Sequence, residues 1–183
     1  MKKEMPFGRN DHVRAVKMIA EGLHHAKKLD NYLEFGIRQG PCFNAVAPLA
    51  KTAYAVDIKN CRKGINHNKN LKWFQCKTID FWSMIPGDVM FDLTFIDADH
   101  SHKASMKDFE LVAARTKQNG LILLHDTYPP DKRFLSSGYC NDTYKTADRI
   151  RKIYSKNFEI VTLPFYFGVS VVRKLDRQVE WIA

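Results

Sequence analysis

Short apolar runs that alternate with longer segments of mixed composition constrain this chain more than any other feature of its sequence. Five runs have the length and the bulky or β-branched side chains of strands: 31–36, 52–58, 73–80, 91–97 and 120–126. Segments 12–29, 101–116 and 143–154 carry apolar residues at helical spacing. Strands that alternate with helices predict right-handed crossovers and a mainly parallel sheet that is covered by helices on both faces.

Two further strands are predicted at 159–165 and 169–174, near the end of the chain. Residues 166–168 join them too tightly for a crossover helix, so one of the two strands must run antiparallel to the rest. The prediction is therefore an α/β, Rossmann-like sandwich of seven strands with one reversed strand near an edge. A length of 183 residues fits one domain, with an N-terminal helix in 1–30 and a core in 31–174.

Charge and cysteine usage limit the classes of partner and compartment. The formal net charge of +9 would suit an acidic partner such as nucleic acid or a membrane surface. The four cysteines have neither a CxxC pair nor metal-knuckle spacing, which is typical of reduced thiols inside a cell. No apolar stretch approaches the ~20 residues that span a bilayer, and no signal peptide is apparent, so we expect a cytoplasmic domain without a membrane partner.

Acidic residues stand at or next to the ends of the predicted parallel strands. They are Glu34, Asp57, Asp80, Asp97 with Asp99, and Asp126. Ligands of open α/β sheets bind outside the carboxyl ends of the strands, so these side chains are expected along one ligand-binding rim. Each acid alone could simply cap the following helix. Together they favour a wet site or a ligand that carries positive charge and hydroxyl groups.

The turn after the first strand carries two glycines in the pattern E-x-G-x-x-x-G, from Glu34 through Gly36 to Gly40. Glycine permits positive φ and a close approach of a ligand to the backbone. A dinucleotide fingerprint would need glycine at positions 34 and 39, where this chain has Glu34 and Gln39. A carboxylate at position 34 would also repel a pyrophosphate, so NAD and FAD are disfavoured.

Followed some 20 residues later by Ala-Val-Asp57-Ile, this pattern resembles motifs I and II of class I S-adenosylmethionine-dependent methyltransferases. The resemblance covers residues 31–174 and implies the strand order 3-2-1-4-5-7-6 and S-adenosylmethionine as cofactor. It implies that Glu34, Gly36 and Gly40 line the methionine end of the cofactor, Glu34 indirectly, and that Asp57 accepts the ribose hydroxyls. It also implies that Asp80 accepts the adenine amino group and that Phe81 or Trp82 packs near the ring.

Two further segments narrow the resemblance. Phe-Ile-Asp97-Ala-Asp-His100-Ser and Gly-Leu-Ile-Leu-Leu-His125-Asp126 look like signatures of small metal-dependent O-methyltransferases, the methyltransferase family 24-like group. The resemblance implies that Asp97 and Asp126 bind a divalent metal ion such as Mg or Mn, with His125 as a third ligand or turned into a helix interface. Asp97 would also contact the cofactor. His100 is expected to be the general base, with a helix-capping role as the alternative reading.

The sequence does not identify the substrate that accepts the methyl group. Residues 127–142 are too long for an ordinary connection and are predicted to form a substrate lid over the rim, which suits a hydroxyl on a small molecule or sugar. The alternatives are a nucleic-acid methyltransferase and a non-catalytic binding module of the same fold. Six basic residues without an acid in 58–79, interleaved with Trp73 and Phe74, favour the first. A homodimer is also expected, because one N-terminal helix gives little cover to the pocket.

Overall fold

A computed structural model describes residue 8, residues 10–175 and residues 178–182, so predictions for the remaining positions lie outside the described residues. Seven strands form a single sheet: β1 Asn31–Phe35, β2 Thr52–Asp57, β3 Leu71–Gln75, β4 Phe91–Ile96, β5 Thr116–His125, β6 Phe158–Leu163 and β7 Val169–Lys174. The α-helices are α1 Asp11–His25, α2 Pro41–Val46, α3 Thr78–Phe81, α4 His102–Ala114 and α5 Tyr144–Ile153.

The strand order is β3-β2-β1-β4-β5-β7-β6, as predicted. Strands β1 to β5 pair in parallel, and β7 pairs antiparallel with both β5 and β6. The reversed strand is therefore β7, and the turn before it brings residues 164–168 to the edge of the sheet where the parallel strands end. This arrangement confirms the predicted fold class.

The sheet separates two apolar layers. Every residue of β4 is buried, including Asp92 and Thr94, as expected for a central parallel strand that is covered on both faces. Leu33 and Phe35 face a cluster that includes Phe109 of α4 and Ile150 of α5. The opposite layer contains side chains from α1 and α2, among them Val16 and Phe43. No helix in the described part of the chain has the length and apolarity needed to cross a membrane.

The largest differences between predicted and observed bounds concern three elements. The third strand, predicted at 73–80, is Leu71–Gln75, because its partner β2 ends at Asp57 and offers no later residue for pairing. The helix predicted at 12–29 ends at His25, shortly before Lys27 with its left-handed φ of 56°. Strand β5 begins at residue 116 rather than 120, with an irregular register opposite β4.

Candidate active site

Four acidic side chains stand where β1, β2, β4 and β5 end, because parallel strands place their carboxyl ends at one edge of the sheet. They are Glu34, Asp57, Asp97 and Asp126. The backbone N–H of Gly36 donates to the Val56 carbonyl at 3.0 Å, and that of Asp97 donates to the Phe35 carbonyl at 2.9 Å. These hydrogen bonds extend the pairing of β1 with β2 and β4 to the carboxyl edge of the sheet, which we call the rim, and they fix the turns that follow.

The turn after β1 is built on two glycines in left-handed conformation. Gly36 has φ +85°, and a Cβ at this position would lie 2.0 Å from the carbonyl oxygen of Asp97. Gly40 has φ +81°, and its Cβ would lie 2.6 Å from the Gly64 carbonyl oxygen. Both distances are impossible for a side chain, so glycine is required for the turn to approach the end of β4 and the loop after β2.

Asp57 organises the two loops beside this turn. Its carboxylate accepts hydrogen bonds from the backbone N–H groups of Ile37, Arg38 and Lys59 at 2.9, 3.0 and 2.8 Å. Burial raises the pKa of Asp57, but these backbone donors outweigh it and hold the pKa below its usual range. A carboxylate has about four lone-pair positions, so hydroxyl donors can still bind to it.

Glu34 lies behind the rim rather than on it. Its side chain is 1% exposed and accepts a hydrogen bond from the Tyr32 hydroxyl. Burial raises the pKa of the Glu34 carboxyl well above its usual range, against the opposing effect of the Tyr32 bond, and the charge of Asp97 raises it further. A ligand at the rim would meet this carboxyl only through other groups.

A cluster of two carboxylates and two imidazoles occupies the ends of β4 and β5. His100 Nδ1 lies 3.0 Å from Asp126 Oδ2, and His100 Nε2 lies 3.5 Å from Asp97 Oδ1. His125 Nδ1 lies 3.0 Å from Asp97 Oδ1. Asp97, His100 and Asp126 each offer a ligand atom within 4.8 Å of the others, as a metal site requires. Asp126 Oδ1 is buried, lies 3.5 Å from His125 Nδ1 and accepts no hydrogen bond from the described residues.

The histidines compensate the carboxylates electrostatically. Burial lowers the pKa of His100, yet its hydrogen bonds to Asp126 and Asp97 outweigh this effect and raise the pKa to about 11. Burial likewise opposes the charges of Asp97 and Asp126 at His125, where the net pKa is about 9. Burial raises the pKa of Asp97, but the two imidazoles hold it below its usual range. Two imidazolium charges therefore balance two carboxylates in this cluster.

His125, predicted as a third metal ligand or as an interface residue, has both ring nitrogens engaged. Nδ1 faces Asp97, and Nε2 lies 3.0 Å from the Tyr166 carbonyl oxygen. His125 therefore links Asp97 to the turn before β7, while His100 contacts both carboxylates, Asp126 through Nδ1 and Asp97 through Nε2.

Residues 127–142 lie against this cluster. The Tyr139 carbonyl oxygen accepts a hydrogen bond from His100 Nδ1, and the Thr143 hydroxyl donates to the His100 carbonyl at 2.7 Å. The Phe134 ring packs on Tyr139 and Phe167, with centroid distances of 5.2 and 5.1 Å. The segment is thus anchored both to the cluster and to the turn before β7.

His12 and Tyr166 were not anticipated from the sequence. The His12 ring of α1 lies 4.6 Å from the His125 ring and 5.5 Å from the Tyr166 ring, measured between centroids. The contacts join positions more than 100 residues apart in the chain, and no local pattern marks such a pairing. The sequence contains one weak indication of a role for His12, which is a polar aromatic residue next to the apolar face of an amphipathic helix.

The fold and the rim point to one protein family, and residues 33–127, more than half of the chain, match a family model described as a methyltransferase domain. The chain belongs to this methyltransferase family. A search of curated proteins found no significant match.

Solved structures share the fold of this methyltransferase domain at low sequence identity. An O-methyltransferase from Bacillus cereus in complex with SAH (S-adenosylhomocysteine) has TM-score 0.69 and 15% identity, covering 88% of this chain and 80% of that one. SAH-bound PaMTH1 from Podospora anserina has TM-score 0.67 and 16% identity, with coverages of 88% and 78%. An rRNA methylase from Streptococcus thermophilus has TM-score 0.61 and 13% identity, with coverages of 87% and 95%. These likenesses support the fold and leave the acceptor open.

The three residues predicted to contact adenine lie in the segment after β3 and differ in their exposure to solvent. Asp80 is exposed on the single turn of α3, and Trp82 is half-buried. Phe81 has no exposed surface, because it is enclosed in an aromatic cluster with Phe35 at 5.7 Å and Phe74 at 5.1 Å. The structure places Phe81 in the core of the methyltransferase domain and leaves Asp80 on its surface.

Proposed function

We propose that this methyltransferase domain uses S-adenosylmethionine and a divalent metal ion, Mg or Mn, to methylate a hydroxyl group of a small molecule. The observation that supports the proposal most directly is the cluster of Asp97, His100 and Asp126 at the ends of two adjacent strands. Its position next to the glycine turn of β1 brings a candidate acceptor site beside a candidate cofactor site.

The cofactor half of the proposal rests on the rim around Asp57. The carboxylate of Asp57 would accept the ribose hydroxyls, and Gly36 and Gly40 leave room for the methionine end against the backbone. Ile58 and Ile79 are 62% and 55% exposed next to the two candidate acids, and they offer apolar surface for an adenine ring. This role replaces the one predicted for Phe81, while Asp80 remains the proposed acceptor of the adenine amino group.

The donor set fits a hard divalent cation. Such ions prefer carboxylate oxygens, and Asp97 and Asp126 supply them from adjacent strand ends. Asp126 Oδ1 is buried and accepts no hydrogen bond from the described residues, although His125 Nδ1 lies 3.5 Å away. A buried carboxylate oxygen without a hydrogen bond is costly unless a ligand satisfies it. A dication would also balance the charge that the two imidazolium groups now balance.

When bound, S-adenosylmethionine supplies an electrophilic methyl group on a sulfonium centre, and the metal ion supplies positive charge next to the acceptor oxygen. His100 is 31% exposed, faces the cluster and lies under residues 127–142. A dication held by Asp97 and Asp126 would lower the pKa of this imidazole and favour its neutral form, which is the proposed acceptor of the hydroxyl proton. Transfer forms the bond between oxygen and the methyl carbon, breaks the bond between that carbon and sulfur, and leaves the proton on His100. His125 holds Asp97 in place.

Binding experiments separate the parts of this proposal. Asp57→Ala is expected to weaken SAH binding at least ~30-fold by calorimetry, since a charge-assisted contact is worth about 2 kcal/mol or more. Asp126→Asn is expected to abolish Mn binding in a titration followed by electron paramagnetic resonance. Asp88→Asn, at an exposed position away from the cluster, is the matched control.

Activity is tested with a panel of sugars, phenols and other small hydroxyl compounds, by SAH release and by the mass of the product. His100→Gln is expected to keep its affinity for Mn within about threefold and to lower kcat about 100-fold or more. Loss of Mn affinity in His100→Gln would instead make the imidazole a ligand. Methyl transfer that persists in EDTA and in Asp126→Asn would show that the metal-assisted mechanism is wrong.

A further inference from the structure

The loop between β2 and β3, together with β3 itself, carries a concentrated positive charge. Residues 58–79 contain no acid and six bases: Lys59, Arg62, Lys63, Lys69, Lys72 and Lys77. Five of the six are exposed, and Arg62 is half-buried. Strand β3 is the edge of the sheet, so this surface is not covered by a further strand. We call residues 58–77 the basic edge.

Within the described part of the chain, none of the six bases forms an ion pair with a carboxylate. Arg62 Nη2 lies 3.0 Å from His67 Nδ1, and Lys72 Nζ lies 5.1 Å from the Tyr54 ring centroid, so even these two contacts leave the charge uncompensated. The acid that precedes the loop, Asp57, is directed to three backbone N–H groups. The basic edge therefore keeps its full positive charge.

Bases elsewhere in the chain are often neutralised by neighbours. Lys51 lies 2.6 Å from Asp30, Lys117 lies 2.7 Å from Asp92, and Arg151 lies 2.8 Å from Asp148. The basic surface of α5 likewise contains an ion pair between Lys145 and Asp142 at 3.2 Å. The contrast identifies the basic edge as a surface suited to a partner with many negative charges.

The polar side chains of the basic edge favour a nucleic acid among such partners. Asn60, Asn66 and His67 are exposed between the lysines, and amide and imidazole groups can bond to sugars, phosphates and base edges. Membrane surfaces are usually bound by an amphipathic helix with a broad apolar face, whereas this segment consists of loop, one short 3₁₀ turn and a strand. Trp73 and Phe74, expected from the sequence to serve as stacking rings, pack instead on the two apolar layers of the core.

We propose that the basic edge is a docking surface for the phosphate backbone of a nucleic acid. Contacts would come from the lysine and arginine side chains, and the asparagines would bond to sugars and bases. The basic edge adjoins the proposed cofactor site, because Gly64 in its loop contacts Gly40. The proposal does not depend on which hydroxyl the enzyme methylates.

The test compares two triple variants that remove the same number of charges. Lys63, Lys69 and Lys77→Gln changes the basic edge, and Lys28, Lys152 and Lys156→Gln changes exposed lysines elsewhere that also lack a carboxylate partner among the described residues. Binding of a fluorescent RNA of about 20 nucleotides is measured by anisotropy from ~0.05 to ~0.2 M salt. Thermal unfolding verifies that both variants fold.

The wild-type chain is expected to bind the RNA with an affinity that falls steeply with salt. The basic-edge variant should bind at least ~10-fold more weakly, and its log–log salt slope should be shallower by about 2, since each phosphate contact on a single strand contributes about 0.7. The other variant should stay within about twofold of the wild type.

Three results would overturn the proposal. They are no measurable RNA binding at the lowest salt, an equal loss in both triple variants, or tighter binding to vesicles of anionic lipid or to polyglutamate than to RNA. None of these measurements involves methyl transfer, so their outcome is independent of the function proposed above.

Discussion

Single residues shape the candidate site through backbone conformations that most side chains avoid. Asp126 has φ +59°, which turns its carboxylate out of β5, where His125 is the last residue, and towards the cluster. Aspartate is among the residues that tolerate this region, so one residue combines the turn and the charge. Position 36 is constrained more strictly, because its turn passes too close to Asp97 for any side chain.

Gly36→Ala is therefore expected to displace the turn after β1 and lower both stability and cofactor affinity. The new Cβ would stand 2.0 Å from the Asp97 carbonyl oxygen, and the positive φ adds a cost of its own of about 1 kcal/mol or more. Calorimetry should find SAH binding reduced at least ~10-fold. Gly22→Ala is the matched control, because nothing lies within 4 Å of its Cβ in α1 and alanine favours the helix. Equal SAH affinity in both variants would contradict the role given to Gly36.

At the scale of elements, two segments distant in the chain enclose the ends of β4 and β5. Residues 127–142 reach the cluster through Tyr139, and α1 reaches it through His12. Both segments also contact the aromatic turn before β7, since the Tyr139 ring lies next to Phe167 and the His12 ring next to Tyr166. Tyr166 and Phe167 both have positive φ. The enclosure thus depends on how three separate elements meet.

Phe134→Ala should loosen residues 127–142. The lost ring contacts with Tyr139 and Phe167 are worth about 0.5–1.5 kcal/mol, which corresponds to a roughly 2- to 12-fold larger open population. Limited trypsin digestion at the exposed Lys132 and Arg133 should accelerate by that factor. The neighbouring Leu135→Ala should leave the rate nearly unchanged, and a similar acceleration in both variants would contradict the anchoring role of Phe134.

His12→Ala tests the attachment of α1. Loss of its ring contacts with His125 and Tyr166 should lower the Tm by about 2–5 °C, and His12→Phe should recover most of the loss because it restores a stacking ring. His25→Ala, exposed on the last turn of the same helix, is the control. No difference between His12→Ala and His25→Ala would mean that α1 is held by its apolar face alone.

Across the whole molecule, the positions of the charges are more informative than their net sum. The excess of +9 includes a basic edge without carboxylate partners in the described structure, while acids gather where the parallel strands end. Asp108 is a buried acid away from this edge, since it is 4% exposed within α4. Burial raises the pKa of Asp108 to about 6, against the effect of a hydrogen bond from Thr78, and the charge of Asp99 raises it further.

Asp108 predicts a pH-dependent stability. The folded state holds the proton up to a pKa of about 6, whereas the unfolded chain releases it near 3.8, so stability from this group falls as the pH rises from about 4 to 6. Above that window its ionisation destabilises the folded state by on the order of 2–3 kcal/mol. Asp108→Asn should therefore be more stable than the wild type near neutral pH, with a smaller difference at about pH 4.

Urea unfolding at several pH values measures this effect. Asp88→Asn, at an exposed position, should change stability by less than about 0.5 kcal/mol at every pH. The stability difference between the wild type and Asp108→Asn should change between about pH 4 and neutral pH. An equal difference at both pH values would contradict the assigned burial of this carboxyl.

The sequence by itself determined the fold class, the strand order through the family resemblance, and the acids of the rim. Apolar periodicity marks strands and helices locally, and parallel strands necessarily bring their carboxyl ends to one edge, so Asp57, Asp97 and Asp126 could be placed there from sequence alone. Gly36 could be singled out for the same reason, since only glycine suits such a turn.

Only the tertiary structure decided which side chains meet at that edge. His100, in the loop after β4, reaches Asp126 at the end of the neighbouring β5, and His12 of α1 reaches His125, more than 100 residues later in the chain. Phe81, one residue from the exposed Asp80, faces the core because α3 is a single turn packed against the sheet. Such contacts depend on how helices pack and how turns are aimed, which residues close in sequence do not specify.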